Sequence, residues 1–562
     1  MSVFNRINGS FSLGHSNYLF LNFKHSKCNL KYRKLYVCCQ LRKSNASGPN
    51  ESLVKEPINT NIIQFENMIQ FRRNEAKRSI GVQVQSEESG KELYHYCKGL
   101  APVQSMYHYK VQNNHYFLVE FSEDCNEVLQ KCTSGKGAGI IPAKSPFLWF
   151  KASKHGGKLK FKNKEETEIP LKYSVIPTQH EINEWLEQSS TISDCMKVLY
   201  ESSRLDELGL RLRLLTARQI EMALEGIFPN IAVLPFGSTV NGLGKAGCDL
   251  DLVVQHDYQL KAQSKDSSSS RLIQHNKSVG NSGSSRQHVQ RQMEVLADFI
   301  QLYLPGCVSV KRILQARVPI VKYSHEVTGV DCDLSMTNMT GVYMSELLYL
   351  LGSLDPLTRP LVFTVKQWAW AVGLTNPTPG RWVTNFTLTL LTLFYLQVVK
   401  RLPPVELLRI AAGTEDKRVT EEIDCTFVRD LSRLKWQSFK PREQDLSDLL
   451  KGFFNYYTTF DFTSAGISLN VGKCVPKPDF SPLYVVNPLE KSANVSKNVS
   501  LEEVERLRIA LRDAAWNLET TVEDQKSFIN LVSRPTNVNE NIPRKYIPNN
   551  RIVSIKRLFN DR

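Results

Sequence analysis

Residues 234–254 read LPFGSTVNGLGKAGCDLDLVV, and this stretch restricts the fold more than any other. The apolar run Ala232 to Phe236 predicts a strand ending on a Gly-Ser turn, and Asp249 to Val254 predicts a second strand. Side chains alternate faces along a strand. Asp249 and Asp251 therefore point one way, and Leu250 and Leu252 point the other, into a core. Adjacent carboxylates repel unless a cation sits between them, and hard oxygen donors suit a divalent ion such as Mg2+ or Mn2+. Gly237 lets a backbone N–H approach a ligand closely and Ser238 adds a hydroxyl donor, a pairing suited to phosphate oxygens.

Two-metal phosphoryl transfer needs a third carboxylate from a neighbouring strand. The predicted strand Val330 to Ser335 (VDCDLS) offers Asp331 and Asp333 on one face, and alternation does not choose between them. Gly-Ser, a short gap and Asp-x-Asp together resemble the nucleotidyltransferase signature of the DNA polymerase β superfamily. In that superfamily the third Asp precedes an apolar and then a small residue. Asp333-Leu334-Ser335 fits, so the resemblance selects Asp333 and leaves Asp331 a surface or supporting group.

A chain of 562 residues with 41% hydrophobic and 23% charged residues has the length for three or four soluble globular domains. Its net charge of +15 favours a polyanionic partner. That charge is concentrated. Residues 1–50 hold eight Lys or Arg and no Asp or Glu, and lack a continuous apolar core, so they read as a mitochondrial transit peptide rather than a secretory signal. The twelve cysteines form no Cys-x-x-Cys or Cys/His zinc spacing, so reduced thiols are expected. Trp382 to Val399 carries no charge, but four threonines, an asparagine and a glutamine interrupt it. It predicts a buried helix and no membrane span.

In chain order, residues 60–151 predict a β-α-β-β-α-β succession: strands Ser79–Val84, Val103–Val111, His115–Phe121 and Phe147–Phe150, helices Lys91–Leu100 and Asp124–Lys131. This resembles an RNA-recognition-motif fold. However, Gly81 and Leu118 stand where base-stacking aromatics belong, and Tyr116 is the one aromatic kept. An uncovered apolar sheet face would then invite a homodimer through this domain, as in the mitochondrial members of the group resembled below. Residues 152–180 read as a basic linker, and 181–340 as the nucleotidyltransferase palm, with a helical stretch Glu181 to Gly226 leading in. Within the palm, Ala262–Gln287 reads as a Ser-rich disordered insertion, followed by a helix from Gln290 and strands Val308–Ile313 and Val318–Tyr323. Residues 341–533 predict a helical domain and 534–562 a basic tail. The fold class expected is α+β.

The segments SELLYLLGSLDPLTRPLVFTVKQWA, TNFTLTLLTLFYLQ and SPLYVVNPLEKSANVSKNVS resemble the central domain of the poly(A) polymerase and terminal uridylyltransferase group within that superfamily. The resemblance implies roles position by position. Lys366 would hold the triphosphate and Phe386 would stack on the incoming base. Asn338 and Ser345 would contact sugar or base, and Asn487 to Glu490 would lie in the nucleotide-recognition loop. Three positions depart from the pattern. Trp370 stands where a second base is usual four residues after the triphosphate lysine. Asn487-Pro488 replaces Asp-Pro, and Ala493 replaces the histidine of uridylyltransferases. The last argues for ATP over UTP. The resemblance thus implies a template-independent enzyme of the mitochondrial matrix that adds AMP from ATP to RNA 3′ ends, mitochondrial mRNA among them, with Mg2+. The alternatives are a terminal uridylyltransferase, an inactive RNA-binding or scaffold protein, or the same chemistry on tRNA ends or oligonucleotides.

Overall fold

Period-2 apolar patterning builds two five-stranded sheets here, and the helix between them in sequence packs against both. The computed structural model describes residues 63–132, 145–151, 169–174, 176–225, 231–255, 285–377, 380–420, 423–436, 445–520 and 524–533. The expected transit peptide, most of the Ser-rich insertion and the basic tail lie outside the described residues.

Helix α1 (Phe65–Lys77) leads into β1 (Ser79–Val84), α2 (Gly90–Lys98), β2 (Val103–Val111), β3 (Asn114–Phe121), α3 (Asn126–Cys132) and β4 (Phe147–Trp149). The β-α-β-β-α-β order is the one the patterning predicts. A fifth strand, β5 (Leu171–Tyr173), falls inside the segment read as a linker and pairs parallel to β2. The strand order is β4-β1-β3-β2-β5. One sheet face buries Ile80, Val82, Phe117 and Val119 with Leu93 and Val128 of the helices. The opposite face, expected to be bare, is covered by the chain itself. Tyr107, Leu118 and Phe147 pack on Leu208, Leu212 and Leu215 of α6 (Glu207–Leu224), three residues at helical spacing. This removes the physical ground for a homodimer on that face. Gly81 owes its smallness to the same packing, since a Cβ there would run into the Phe147 ring.

Charge joins the same elements. Arg211 of α6 pairs with Glu75, with Glu120 at 2.9 Å and with Glu207 at 2.8 Å. Arg72 and Arg78 give Glu75 and Glu120 second partners at 2.8 and 3.0 Å.

Beyond Leu215, helix α6 turns to the second sheet. Ala217, Ile220 and Leu224 join Leu250, Leu252 and Val254 of β7 (Leu250–Gln255) and Met293, Leu296 and Ile300 of α7 (Ser285–Tyr303). The strands β6 (Ala232–Phe236), β7, β8 (Cys307–Ile313), β9 (Ile320–His325) and β10 (Val330–Ser335) lie in the order β6-β7-β10-β9-β8. β7 and β10 run parallel and the other pairs are antiparallel, so the sheet is mixed. Helix α7 begins at Ser285, five residues before the predicted start.

The third core is helical, with α8 (Met339–Leu354), α9 (Thr358–Ala371), α10 (Asn385–Val398), α11 (Val405–Ile410), α12 (Leu446–Thr458), α13 (Leu501–Thr520) and α14 (Asp524–Val532). Helices α4 (Gln179–Glu187) and α5 (Ile192–Ser203) contribute Ile182, Leu186, Ile192, Met196 and Leu199 to this core. Along the chain they lead into α6, while their apolar side chains pack on the helical side. The Ser193 hydroxyl anchors them by donating 2.7 Å to Asp445, the cap of α12. The charge-free stretch around α10 is buried, as its patterning predicts. Among the described residues no helix is long and apolar enough to cross a membrane. The α+β class holds.

Candidate active site

Strand register assembles the site. Phe236, the last residue of β6, lies opposite Asp251, and Asp251 lies directly across from Asp333 on β10. The chain after Phe236 must therefore pass under the Asp251 carboxylate. It does so at Gly237, whose φ of +70° suits glycine and where a Cβ would collide with Asp251 Oδ2. The Gly-Ser turn and the Asp pair are thus one steric unit. The Thr239 hydroxyl donates to the Asp249 carbonyl at 3.3 Å and ties the two ends of the 237–249 loop.

Asp249 precedes β7 with its side chain 56% exposed, whereas the Asp333 side chain is 19% exposed. Asp331 lies on the same face of β10 but is exposed, and accepts a 2.5 Å hydrogen bond from Ser324. Face alone leaves the two aspartates equal. Register separates them, since Asp333 is the one opposite Asp251.

Sequence reading missed the residue among these carboxylates. Lys322 of β9 is the antiparallel partner of Asp333, and its Nζ lies 3.0 Å from Asp333 Oδ1 and 3.9 Å from Asp249 Oδ2. Its position between Val321 and Tyr323, both buried, marks it as facing the site, but only the register reveals what it meets. Burial, then the charges of Asp333 and Asp249, push the Asp251 carboxyl up to about 7, with Lys322 opposing. Burial likewise raises Asp333 against the pull of Lys322. Burial works against the Lys322 ammonium, but the ion-paired Asp333 and the nearby Asp249 and Asp331 outweigh it and raise its pKa.

Among the described residues no group of three or more His, Cys, Asp or Glu side chains is gathered as a finished metal site. The donor set nevertheless suits a hard divalent cation. Three carboxylates line one side of the sheet, and Asp333 Oδ1 is buried with no aligned hydrogen-bond partner.

Of the remaining predicted residues, Ser238 belongs to the 237–249 loop, Ser345 and Lys366 meet it, and the others lie on the helical side and its loops. Ser238 is half-buried in the turn. The Gly237 N–H donates 2.6 Å to the Ser345 hydroxyl, which itself donates 2.7 Å to the Gly341 carbonyl, so Ser345 is buried and engaged. Asn338 caps α8, its side chain accepting from the Gly341 N–H at 3.1 Å. Lys366 of α9 donates 3.0 Å to the Leu243 carbonyl in the 237–249 loop, and burial brings its amine down to about 8. Phe386 is half-buried in the first turn of α10, against the helical core. Asn487 accepts from the Leu489 and Glu490 amides at 3.0 and 3.1 Å and closes residues 487–490 into a turn. Glu490 pairs at 2.6 Å with Arg317, which lies between β8 and β9, so this loop reaches the palm.

Residues 192–353 match the family model described as "Poly(A) RNA polymerase, mitochondrial-like, central palm domain", and 445–503 match "Cid1 family poly A polymerase". "Poly(A) RNA polymerase, mitochondrial" of Drosophila melanogaster is 44% identical over 503 residues, covering 87% of this chain and 80% of that one. Its Homo sapiens counterpart is 35% identical over 473 residues, covering 83% and 79%. The crystal structure of mtPAP in complex with ATPgammaS superposes with a TM-score of 0.73 at 31% identity, over 84% of this chain and 100% of that one.

Proposed function

Because the chain belongs to the mitochondrial poly(A) RNA polymerase family, we propose that it adds AMP from ATP to the 3′ ends of RNA in mitochondria. The observation that carries this reading is the register of Asp251 against Asp333 beside Gly237, with charge still unbalanced around them. In this reading Asp249, Asp251 and Asp333 hold Mg2+. Bound divalent cations would supply the charge that activates the RNA 3′-hydroxyl and neutralises the triphosphate and departing pyrophosphate.

The chain's own groups do the rest. The Gly237 N–H exchanges Ser345 for a phosphate oxygen, and the Ser238 hydroxyl donates beside it. Lys366 exchanges the Leu243 carbonyl for the triphosphate, a stronger, charge-assisted bond. Lys322 holds the charge of Asp333 and Asp249 in the free protein, a role that bound cations would take over. Asp333 takes the proton of the attacking hydroxyl. Phe386 stacks on the base, and such stacking tolerates any base. Asn338, Ser345, Asn487 and Glu490 contact sugar or base edge. Ala493 leaves room for a purine, which favours ATP over UTP.

We assign 1–50 as a transit peptide for the matrix, 60–151 as a degenerate RNA-recognition-motif-like domain that packs on α6, and 534–562 as a basic tail that touches RNA. A homodimer through the N-terminal domain would use the sheet edges, where Trp149 of β4 and Tyr173 of β5 are exposed. The test is incubation of purified protein with a short RNA, Mg2+ and each of the four nucleoside triphosphates separately. Extension by ATP well above the others supports the reading. Preference for UTP, or no extension, overturns it.

A further inference from the structure

The helix bearing Lys366 has an indole, Trp370, one turn on, where the resembled group has a second base. The structure brings a cation to that place from another element. Lys245 of the 237–249 loop sets its Nζ 5.6 Å from the centroid of the Trp370 ring and 3.4 Å from Gln367 Oε1. A cation over an indole face is attracted by the ring quadrupole. The backbone on either side of Lys245 is held. The Leu205 N–H donates to the Gly244 carbonyl and the Ala246 N–H to the Ser203 carbonyl, both at 2.8 Å, so Lys245 bridges to Arg204. Two residues earlier in the same loop, the Leu243 carbonyl accepts from Lys366. Lys245 of the loop thus lies against Gln367 and Trp370 of α9, and Lys366 of α9 reaches back to the same loop, which also carries Gly237, Ser238 and Asp249. Neither amine pairs with a carboxylate among the described residues, and burial lowers both. Two amines without counter-ions beside a phosphate-binding turn form an anion site.

We propose that Lys245, steered by the Trp370 ring and Gln367, is the second triphosphate-binding cation of this enzyme, delivered by the palm loop instead of by the helix. This rests on the nucleotidyltransferase reading above. The nucleotide then bridges the palm loop and the helical domain through two lysines of different origin. Trp370 is a positioning residue, since its indole has no charge to offer a phosphate.

The test uses full-length protein, ATP, adenosine and an RNA primer. Lys245→Met should raise KM for ATP about tenfold, as expected on losing one charge-assisted phosphate contact, with kcat within about threefold. Inhibition by adenosine, which has no phosphates, should be unchanged. Lys245→Arg should keep most of the affinity. In the Lys245→Met background, Trp370→Lys should restore KM by supplying a base from the helix. An unchanged KM in Lys245→Met overturns the proposal, and so does equal weakening of ATP and adenosine, or failure of Trp370→Lys to rescue. If the wild-type protein extends no RNA, the function reading itself fails, a separate outcome from any of these.

Discussion

The two sheets of this protein handle buried acid in opposite ways. In the N-terminal sheet and its leading helix, Glu75 and Glu120 are met by three guanidiniums, from Arg72, Arg78 and Arg211. In the palm sheet one ammonium, Lys322, stands among Asp249, Asp251 and Asp333; it lies 3.0 Å from Asp333 and 3.9 Å from Asp249, and Asp251 feels only its field. Matched charge holds elements together, because a desolvated carboxylate with a guanidinium on each oxygen has nothing further to gain. Excess charge held in place by a rigid sheet keeps an affinity in reserve for something positive. The first sheet is a structural support, covered on both faces. The second is covered by α8 over Ala232, Leu234 and Val253 and leaves the carboxylate end of that face for chemistry.

The largest expected effect lies on the unbalanced side. Asp251→Ala should lower kcat/KM for RNA extension by more than about a thousandfold, because metal-held carboxylates act as a unit. The melting temperature should not fall. Substantial extension by this variant would break the contrast at its centre.

The matched side should answer in stability alone. Arg211→Ala removes one cation shared by Glu75, Glu120 and Glu207. Arg72 and Arg78 still hold one acid each, so the expected loss is about 2–4 kcal/mol of unfolding free energy, below that of a fully orphaned charge. Urea unfolding measures it, and kcat per folded molecule should be unchanged. Removing residues 1–173 would go further by baring Leu208, Leu212 and Leu215 on α6. Aggregation of the truncated chain, rather than a clean monomer, is the expected result.

A third variant tests the sign of the difference. The folded Asp251 carboxyl, near pH 7, lies above its unfolded value of about 3.9, so the folded state binds more protons between these limits. Metal-free stability therefore falls as pH rises through that window and stays low above it. Asp251→Asn removes the charge, and at pH 8 in EDTA it should stabilise the protein by about 1–3 kcal/mol, a gain absent at pH 4. Calorimetric melting at the two pH values checks it. Mg2+ should stabilise the wild type at pH 8 and leave the variant less affected. A variant less stable than wild type at pH 8 would mean that Lys322 already balances the site.

Much of this arrangement was legible in the sequence. β6 spans the predicted Ala232–Phe236, and β10 the predicted Val330–Ser335, because alternation over a half-buried strand is a strong periodic signal. The Gly-Ser turn and Asp-x-Asp, which the fold brings together, were legible because each residue type answers a local demand. Contacts set by register or by packing between distant elements were not legible. Lys322 lies 11 residues from Asp333 in sequence and opposite it in space. The cover over Leu118 comes from a helix about 90 residues on, so no pattern within the strands could announce it. The amphipathic pattern of α4 and α5 likewise does not name the core it will join, which is the helical one.

The smallest expected effect is also the finest test of register. Asp331 and Asp333 have the same chemistry, strand and face, two residues apart. If face alone made a catalytic carboxylate, removing either would stop extension. Asp331, however, is exposed and accepts from Ser324, its neighbour on β9, whereas Asp333 has Asp251 across the parallel pair. An exposed carboxylate in high-dielectric surroundings contributes about 0–1 kcal/mol through its contacts. Its charge does add to the field that holds Lys322 protonated, but as the last of four contributions after burial, Asp333 and Asp249. Asp331→Ala should accordingly change kcat/KM by less than about threefold, which corresponds to ~0.6 kcal/mol. Asp333→Ala, assayed beside it on the same primer, should match Asp251→Ala. Equal losses in the two variants would show that the whole acidic face does the work. A loss confined to Asp331→Ala would move the third carboxylate two residues along the strand.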